Sequence, residues 1–357
     1  MSFIIESPRA TDGGIFTRNL ESSLERAWFI FHAHPERTGT LEAILDGESI
    51  RSQFFGDYAS LDRLVGLSAD LLENKSNLAS SYLFSAQVNS SRHLFAAAQE
   101  HVSQAISLGA DHAICSRIQL GIDQALGVNL ELVLDQRLRI ASKENTFENL
   151  IPLGALLADL GRFDEAHDTY IKALNSYREL SPIGLAWAFF QLGFLWGELV
   201  SDPDSKKASY YYSKAVDYLP GYTHAAVHLA EIEMENGKLD HARELLNSVV
   251  GSGDPEVRWR MSELLATEGN TQASADELDV ATFMYEDLLS RHELAFADHA
   301  AEFYLGSGHD PQRALHLATA NLVNRKTARA YTLAIEAAEA SGEIELSKSL
   351  SFKFLEK

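Results

Sequence analysis

The chain has 357 residues, more than one compact core commonly holds, so it either divides into domains or grows as repeats. Its formal charge of −21 argues against non-specific binding to nucleic acid or to an anionic membrane surface, since both need an excess of Lys and Arg. Apolar residues at 46% suit a folded protein, and the single cysteine, Cys115, permits no intrachain disulfide and points to a reducing compartment.

Residues 1–16 read as an extended arm. They show no basic segment leading into a long apolar run, so no signal peptide is expected. RNLESSLERAWFIFHAH then reads as one amphipathic helix, with Leu20, Leu24, Ala27 and Ile30 on one side. It is expected to cap whatever follows. Beyond it, apolar residues fall at spacings of three and four almost everywhere. Short Gly, Pro, Asn and Asp clusters interrupt them about every 15–20 residues. The chain reads as a succession of short helices, with no apolar run long enough to span a bilayer.

The helices recur in pairs. Gly56, Tyr58, Leu61 and Val65 make a turn and a second helix. Tyr82, Ala86, Phe95, Ala98, Val102 and Ala105 form the next pair, and residues 114–146 hold Leu120-Gly121 and a GVN turn. The clearest pair begins at 147. Leu153, Gly154 and Leu157 lie on its first helix, Gly161 on the turn, and Ala166, Tyr170, Ala173 and Leu174 on its second. The order returns with Leu192, Gly193, Trp196, Ala208, Tyr212, Ala215 and Pro220, around an insertion, SDPDSKK. It returns again with Leu229, Ala230, Asn236-Gly237, Ala242, Leu246 and Asp254-Pro255. Weaker copies follow. Gly269 ends a first helix, and Ala281 and Tyr285 lie on a displaced second one. Ala297, Ala300, Ala301, Tyr304, Gly308, Ala314 and Ala318 make another pair, and Tyr331, Ala334, Ala338 and Gly342 the last.

These residues resemble the tetratricopeptide repeat (TPR) family, whose pattern W-x2-L-G-x2-Y, A-x3-F and P runs over about 34 residues. The likeness is specific in the middle of the chain and loose at both ends. It implies an all-α, right-handed superhelical solenoid of about nine TPR-like helix pairs, beginning near 42, 79, 114, 147, 186, 223, 255, 294 and 328. The expected organisation is an N-terminal arm and capping helix at 1–40, divergent repeats at 41–146, the best-matching repeats at 147–255, and divergent repeats with a C-terminal cap at 256–357. Small residues such as Gly154 and Ala166 let helices approach, with Tyr170 and Leu157 filling the space between them. Gly161 ends the first helix in the left-handed region, and Asp164 is placed to cap the second.

In this family the first helix of each pair lines the concave surface, where partners bind. The repeat phase puts Trp187, Phe190, Phe194 and Glu198 on one stripe of such a helix. Phe189, Leu192, Gly193 and Trp196 already serve the repeat core, so this helix is apolar all round. Either a neighbouring repeat or loop covers the stripe, or a partner does; the sequence leaves both open. The same phase yields Glu231 and Glu235, Trp259 beside Glu263, Asp298 and Glu302, then Glu336. Together they describe a groove with aromatic anchors and a carboxylate wall, suited to a basic or amphipathic peptide. No Lys/Arg set suits a peptide C-terminal carboxylate, a departure from the chaperone-binding members of the family.

His32 and His34 sit near a helix end. His224 and His228 lie one turn apart with Glu231 beyond, a spacing open to a transition metal, but no HExxH and no Cys set accompanies it. Phosphate-loop, dinucleotide and nucleophile-elbow motifs are absent. The expectation is a non-catalytic, cytoplasmic protein- or peptide-binding scaffold or adaptor without metal or cofactor, open to self-association. The alternatives are a regulatory sensor of a small ligand or signalling peptide, and an accessory subunit of an enzyme.

Overall fold

Eighteen helices and no strand are found among the residues described by a computed structural model of the chain, which are 8–35, 37 and 39–355. First helices begin at Thr40, Ala79, His112, Phe147, Pro182, Thr223, Pro255 and Ala328, each within a few residues of the expected start. The unit expected near 294 begins at a kink rather than after a loop. Its first helix is the continuation of the preceding second helix, in α15 (Thr271–Leu305), past a non-helical residue at His292. No helix among the described residues is long and apolar enough to cross a membrane.

By mutual packing the chain forms two units, each made of two separate stretches: residues 1–61 with 131–260, and residues 62–130 with 261–357.

The first unit opens with α1 (Gly13–Ala33), which packs on α2 (Thr40–Phe55) through buried Leu24 and Ala27. Asp12 caps α1 by accepting the Ile15 N–H at 3.0 Å. The helix therefore starts within the stretch expected to be an arm. Residues 8–12 are held by the Tyr218 hydroxyl donating to the Pro8 carbonyl (3.0 Å) and the Thr11 N–H donating to Leu180 (2.7 Å). The rest of that arm, residues 1–7, lies outside the described residues.

The repeat chemistry is clearest in α8 (Phe147–Asp159), α9 (Phe163–Ser176), α10 (Pro182–Phe194) and α11 (Ser205–Tyr218). Glycine is required on α8 and α10 by a ring rather than by a backbone. A Cβ on Gly154 would lie 2.7 Å from the Tyr170 ring, and one on Gly193 would lie 2.5 Å from the Tyr212 ring. Both tyrosines are about 1% exposed, so neither ring has room to retreat. Asp164 does not cap α9; it sits in the first turn beside Glu165, where carboxylates favour the helix N-terminus, and Glu165 pairs with Arg162 at 2.6 Å. The insertion is smaller than the sequence suggested. Its last three residues belong to α11, whose N-terminus is capped by Asp204. α10 itself continues through one wide π-helical turn, Leu195–Leu199.

Next come α12 (Thr223–Glu235), α13 (Leu239–Val249) and the start of α14 (Pro255–Thr267). Here the chain meets its own beginning. Phe54 of α2 packs on Tyr222 (4.8 Å between ring centroids) and on Trp187 (5.9 Å), and the Gly253 N–H donates to the Gly56 carbonyl at 2.8 Å.

The second unit contains α4 (Ala79–Ser91), α5 (Phe95–Ser107), α6 (His112–Leu126), α15, α16 (Pro311–Asn324), α17 (Ala328–Ala340) and α18 (Ile344–Leu355). It too joins segments about 200 residues apart. His93 Nδ1 meets the Leu294 carbonyl at 2.9 Å, Asn324 donates to the His93 carbonyl at 2.9 Å, and the Lys326 N–H donates to the Leu126 carbonyl at 3.1 Å. At the bend in α15, buried His292 lies between Asp62 (Nε2···Oδ1, 2.8 Å) and the Arg92 Nε–H, which donates to Nδ1 at 3.3 Å.

Gly127 ends α6 with φ +69°, and a Cβ there would lie 2.5 Å from the Lys326 carbonyl oxygen. Left-handed strain and a clash with backbone then act together. Gly127→Ala is expected to cost about 3 kcal/mol, read as a lowered urea midpoint, whereas Gly109→Ala, with open space around its Cβ, pays only for its φ of +86°. Equal losses would mean that the Leu126–Lys326 seam is not closed in solution.

Candidate functional site

In the first unit the predicted stripe on α10 is real, but its members differ in depth. Phe190 is 9% exposed; Trp187 and Phe194 are half-buried on either side of it. The three rings stack in series, Trp187 to Phe190 at 6.1 Å and Phe190 to Phe194 at 6.3 Å. What covers Phe190 is the next repeat: Tyr222 at 5.1 Å and His228 at 5.7 Å, with Tyr212 of α11 at 5.6 Å. Phe190 is thus an interior residue between three helices, and only its two neighbours keep an open face.

The wide turn after α10 places Glu198 against α12. His228 Nδ1 lies 2.9 Å from Glu198 Oε1 and 3.7 Å from Glu231 Oε2, and its ring is stacked on Tyr212 at 5.3 Å with only 10° between planes. Glu231 in turn accepts from Arg260 of α14 at 2.8 Å, and Arg260 also lies 3.4 Å from Glu256. The Arg260 guanidinium rests on the Trp259 ring, 3.9 Å from its centroid. An ionic ladder, Glu198–His228–Glu231–Arg260–Glu256, therefore crosses three successive first helices beside the aromatic stripe. Burial of His228 disfavours its charged form. Glu198, by charge and hydrogen bond, together with the Glu231 hydrogen bond and the Glu256 charge, outweighs this and lifts the imidazole pKa well above its usual value. The balance favours the imidazolium, whose Nδ1–H is directed at Glu198.

The remaining predicted residues lie elsewhere. Trp259 is buried, 6% exposed, beneath Arg260 rather than open as an anchor. Glu235 is the exposed last residue of α12, outside the ladder. Glu263, Asp298 and Glu302 belong to the second unit. Glu263 accepts from the Ser307 hydroxyl at 2.8 Å, and Glu302 accepts from Arg329 at 2.7 Å. Asp298 is buried. Burial works against its ionisation, but His299, Arg325, His93 and Arg329 outweigh it and hold the carboxyl well below its usual range. In Glu336 the balance runs the other way, with burial first and then Glu302 and Glu339 raising its pKa.

His224 and His228 turn Nδ1 toward different carboxylates, Asp254 at 3.6 Å and Glu198 at 2.9 Å, rather than toward one point. No group of three or more His, Cys, Asp or Glu side chains suited to a metal ion occurs among the described residues. Arg260, Glu256 and the hydroxyls of Tyr212 and Tyr222 are members of the site that the repeat phase did not select. The i,i+3 spacing of His228 and Glu231 and the i,i+4 spacing of Glu256 and Arg260 were the available signals.

The second unit carries a separate open cleft of about 880 Å³ between α5 and α16, lined by Ala96, Gln99, Leu126, Leu294, Leu315 and Val323 among others.

No family model matches the chain, and no curated protein does. Solved structures do. A Rap protein complexed with competence and sporulation factor superposes with a TM-score of 0.50 at 18% identity, covering 90% of this chain and 99% of that one. Human IFIT1, in a dimer with PPP-AAAA, gives 0.50 at 12% identity, covering 95% of this chain and 78% of that one. The APC/C hetero-tetramer Cut9–Hcn1 gives 0.51 at 13% identity over 78% of this chain, which spans about half (54%) of the matched chain. These likenesses show the fold. The chain is a TPR-like all-α helical repeat solenoid, as its residue pattern predicts.

Proposed function

We propose that the protein is a non-catalytic, cytoplasmic scaffold or adaptor that binds a protein or peptide on the first-helix face of its first unit. One observation carries this reading: Trp187 and Phe194 stay half-open beside a fixed row of charges, although the ring between them is fully packed. Half-buried aromatics next to ordered charged groups are the usual make-up of a binding hot spot. The negative charge of the chain and of this face favours a basic or amphipathic partner. The solved complexes of a Rap protein with its factor and of IFIT1 with PPP-AAAA show that this fold can hold a ligand.

The test is capture of partners from the source cells by wild type and by a Trp187→Ala/Phe194→Ala double variant. The double variant is expected to lose a specific partner at least about tenfold while keeping its helical circular dichroism and remaining folded at the temperature of the assay. Undiminished capture by the folded variant would place the partner elsewhere. The cleft between α5 and α16 favours a second reading, a sensor of a small apolar ligand, because its volume lies in the range of small-molecule sites. Thermal stabilisation by such a ligand, lost in Leu315→Glu, would support that reading over the first.

A further inference from the structure

The second unit leaves two apolar surfaces open, a groove and a helix flank. The groove is the cleft between α5 and α16. One wall is the outer face of α16, where Gln312, Leu315, Thr319 and Val323 recur every three or four residues. Ala96 of α5 stands on the other wall. Among the described residues no Asp, Glu, Lys or Arg lines the cleft, and Val323 is 75% exposed. Helical walls narrow the choice of occupant. Their backbone donors and acceptors are spent within each helix, so an extended peptide laid between them would give up water without gaining backbone partners. A helix brings its backbone already satisfied. The stripe from Gln312 to Val323 runs about 16 Å at 1.5 Å per residue, room for a helix of about three turns.

The same unit presents such a helix. α18 has 12 residues, of which Ser347 and Leu350 are buried. Ile344, Phe352 and Leu355 share one flank at helical spacing and are 50%, 63% and 85% exposed. Lys348 stands within that stripe, paired with exposed Glu345 of its own helix at 2.8 Å. Exposed Glu100 and Glu293 adjoin the lining residues Gln99 and Leu294, so a flank with a cation faces an acidic rim. α18 does not turn this flank to its own groove. Leu346, on the other flank, lines the groove, and Gln312 donates to the Ser341 carbonyl at 3.2 Å, which ties that end of α16 to the turn before α18. Groove and flank are adjacent parts of one surface. That is the condition for an isologous contact, in which each copy gives a helix and receives one.

We propose that the second unit pairs with a second copy of this chain, the Ile344–Phe352–Leu355 flank of each α18 lying in the α5–α16 groove of the other. Two such contacts related by a two-fold axis remove both apolar surfaces from water at once. The pairing is independent of the binding face on the first unit, and it fills the cleft that the sensor reading assigns to a small ligand.

Light scattering of the full chain during size-exclusion chromatography, over a concentration series, tests this. Wild type is expected at twice the monomer mass. Val323→Glu and Phe352→Lys each bring a charge into an apolar contact that is made twice, so each weakens the dimer at least about tenfold. Both side chains are exposed within one chain, so helical circular dichroism stays unchanged. Mixing the two variants restores a dimer, since one of its two contacts is then native and the other sets Glu against Lys. Wild type that remains monomeric throughout overturns the proposal and leaves the groove to a small apolar ligand or to another protein's helix. A dimer that survives both substitutions overturns it by placing the contact on another face. Variants that stay monomeric when mixed overturn the pairing of groove with helix.

Discussion

Phe190→Ala lowers stability by about 3–5 kcal/mol, whereas Trp187→Ala and Phe194→Ala each cost less than about 2 kcal/mol. The stripe is continuous in sequence, but its centre alone is enclosed. Phe190 touches Tyr212 of α11, His228 of α12 and Tyr222 just before α12, so truncation opens a cavity that none of them can collapse into without losing its own contacts. Tyr212 is pinned against Gly193, and Tyr222 against Phe54. Trp187 and Phe194 already have one side in water, so their removal leaves a dent rather than a void. Urea unfolding of the three variants, followed by circular dichroism, checks this. Because repeat arrays unfold unit by unit, midpoints are compared rather than a single extrapolated free energy. Equal losses for all three would mean that α12 does not cover Phe190 and that the whole stripe is open.

Two histidines, one in each unit, respond to pH in opposite directions. In the second unit His93 is pushed down to about 4, mainly by burial and then by Arg325, and its neutral ring donates Nδ1–H to the Leu294 carbonyl. The unfolded chain, with an ordinary imidazole near pH 6.5, takes up a proton that the folded one refuses. The stability this group contributes is present above pH 6.5 and is lost as pH falls toward 4; on the order of 3 kcal/mol is involved. His228 behaves in reverse. Its folded pKa is raised, so its contribution is complete below the unfolded value of 6.5 and is lost as pH rises through the folded one. Imidazole resonances followed by NMR show His93 titrating near 4 and His228 still charged at neutral pH, and Glu198→Gln brings His228 back down. Both rings titrating near 6.5 would contradict the packing described for each.

The repeat phase was legible because small and large residues alternate between helices that are adjacent in sequence. Gly154 with Tyr170 and Gly193 with Tyr212 are the same pair written twice, and each glycine lies against its ring. Other features depend on partners far away. No periodicity within α10 tells that Tyr222 and His228 close over Phe190. The contacts of Gly253 with Gly56 and of Lys326 with Leu126 join stretches about 200 residues apart, which local patterns do not encode. The bend at His292 carries neither Gly nor Pro, so nothing local marks the place where one helix of α15 gives way to the next. Asp164 was a reasonable cap by composition, yet α9 starts two residues earlier than that role allows. The wide turn at Leu195–Leu199 decided the candidate site. It carries Glu198 onto His228 and ties the charges of α12 and α14 to the rings of α10.

The most direct measurement is site-specific photo-crosslinking in the source cells, with benzoylphenylalanine in place of Phe194 or, as a control on the second helix of the same repeat, in place of exposed Tyr210. A discrete partner trapped from position 194 and not from 210 is the predicted result. Trapping from both positions alike, or from neither, would contradict a binding face built on the first helices.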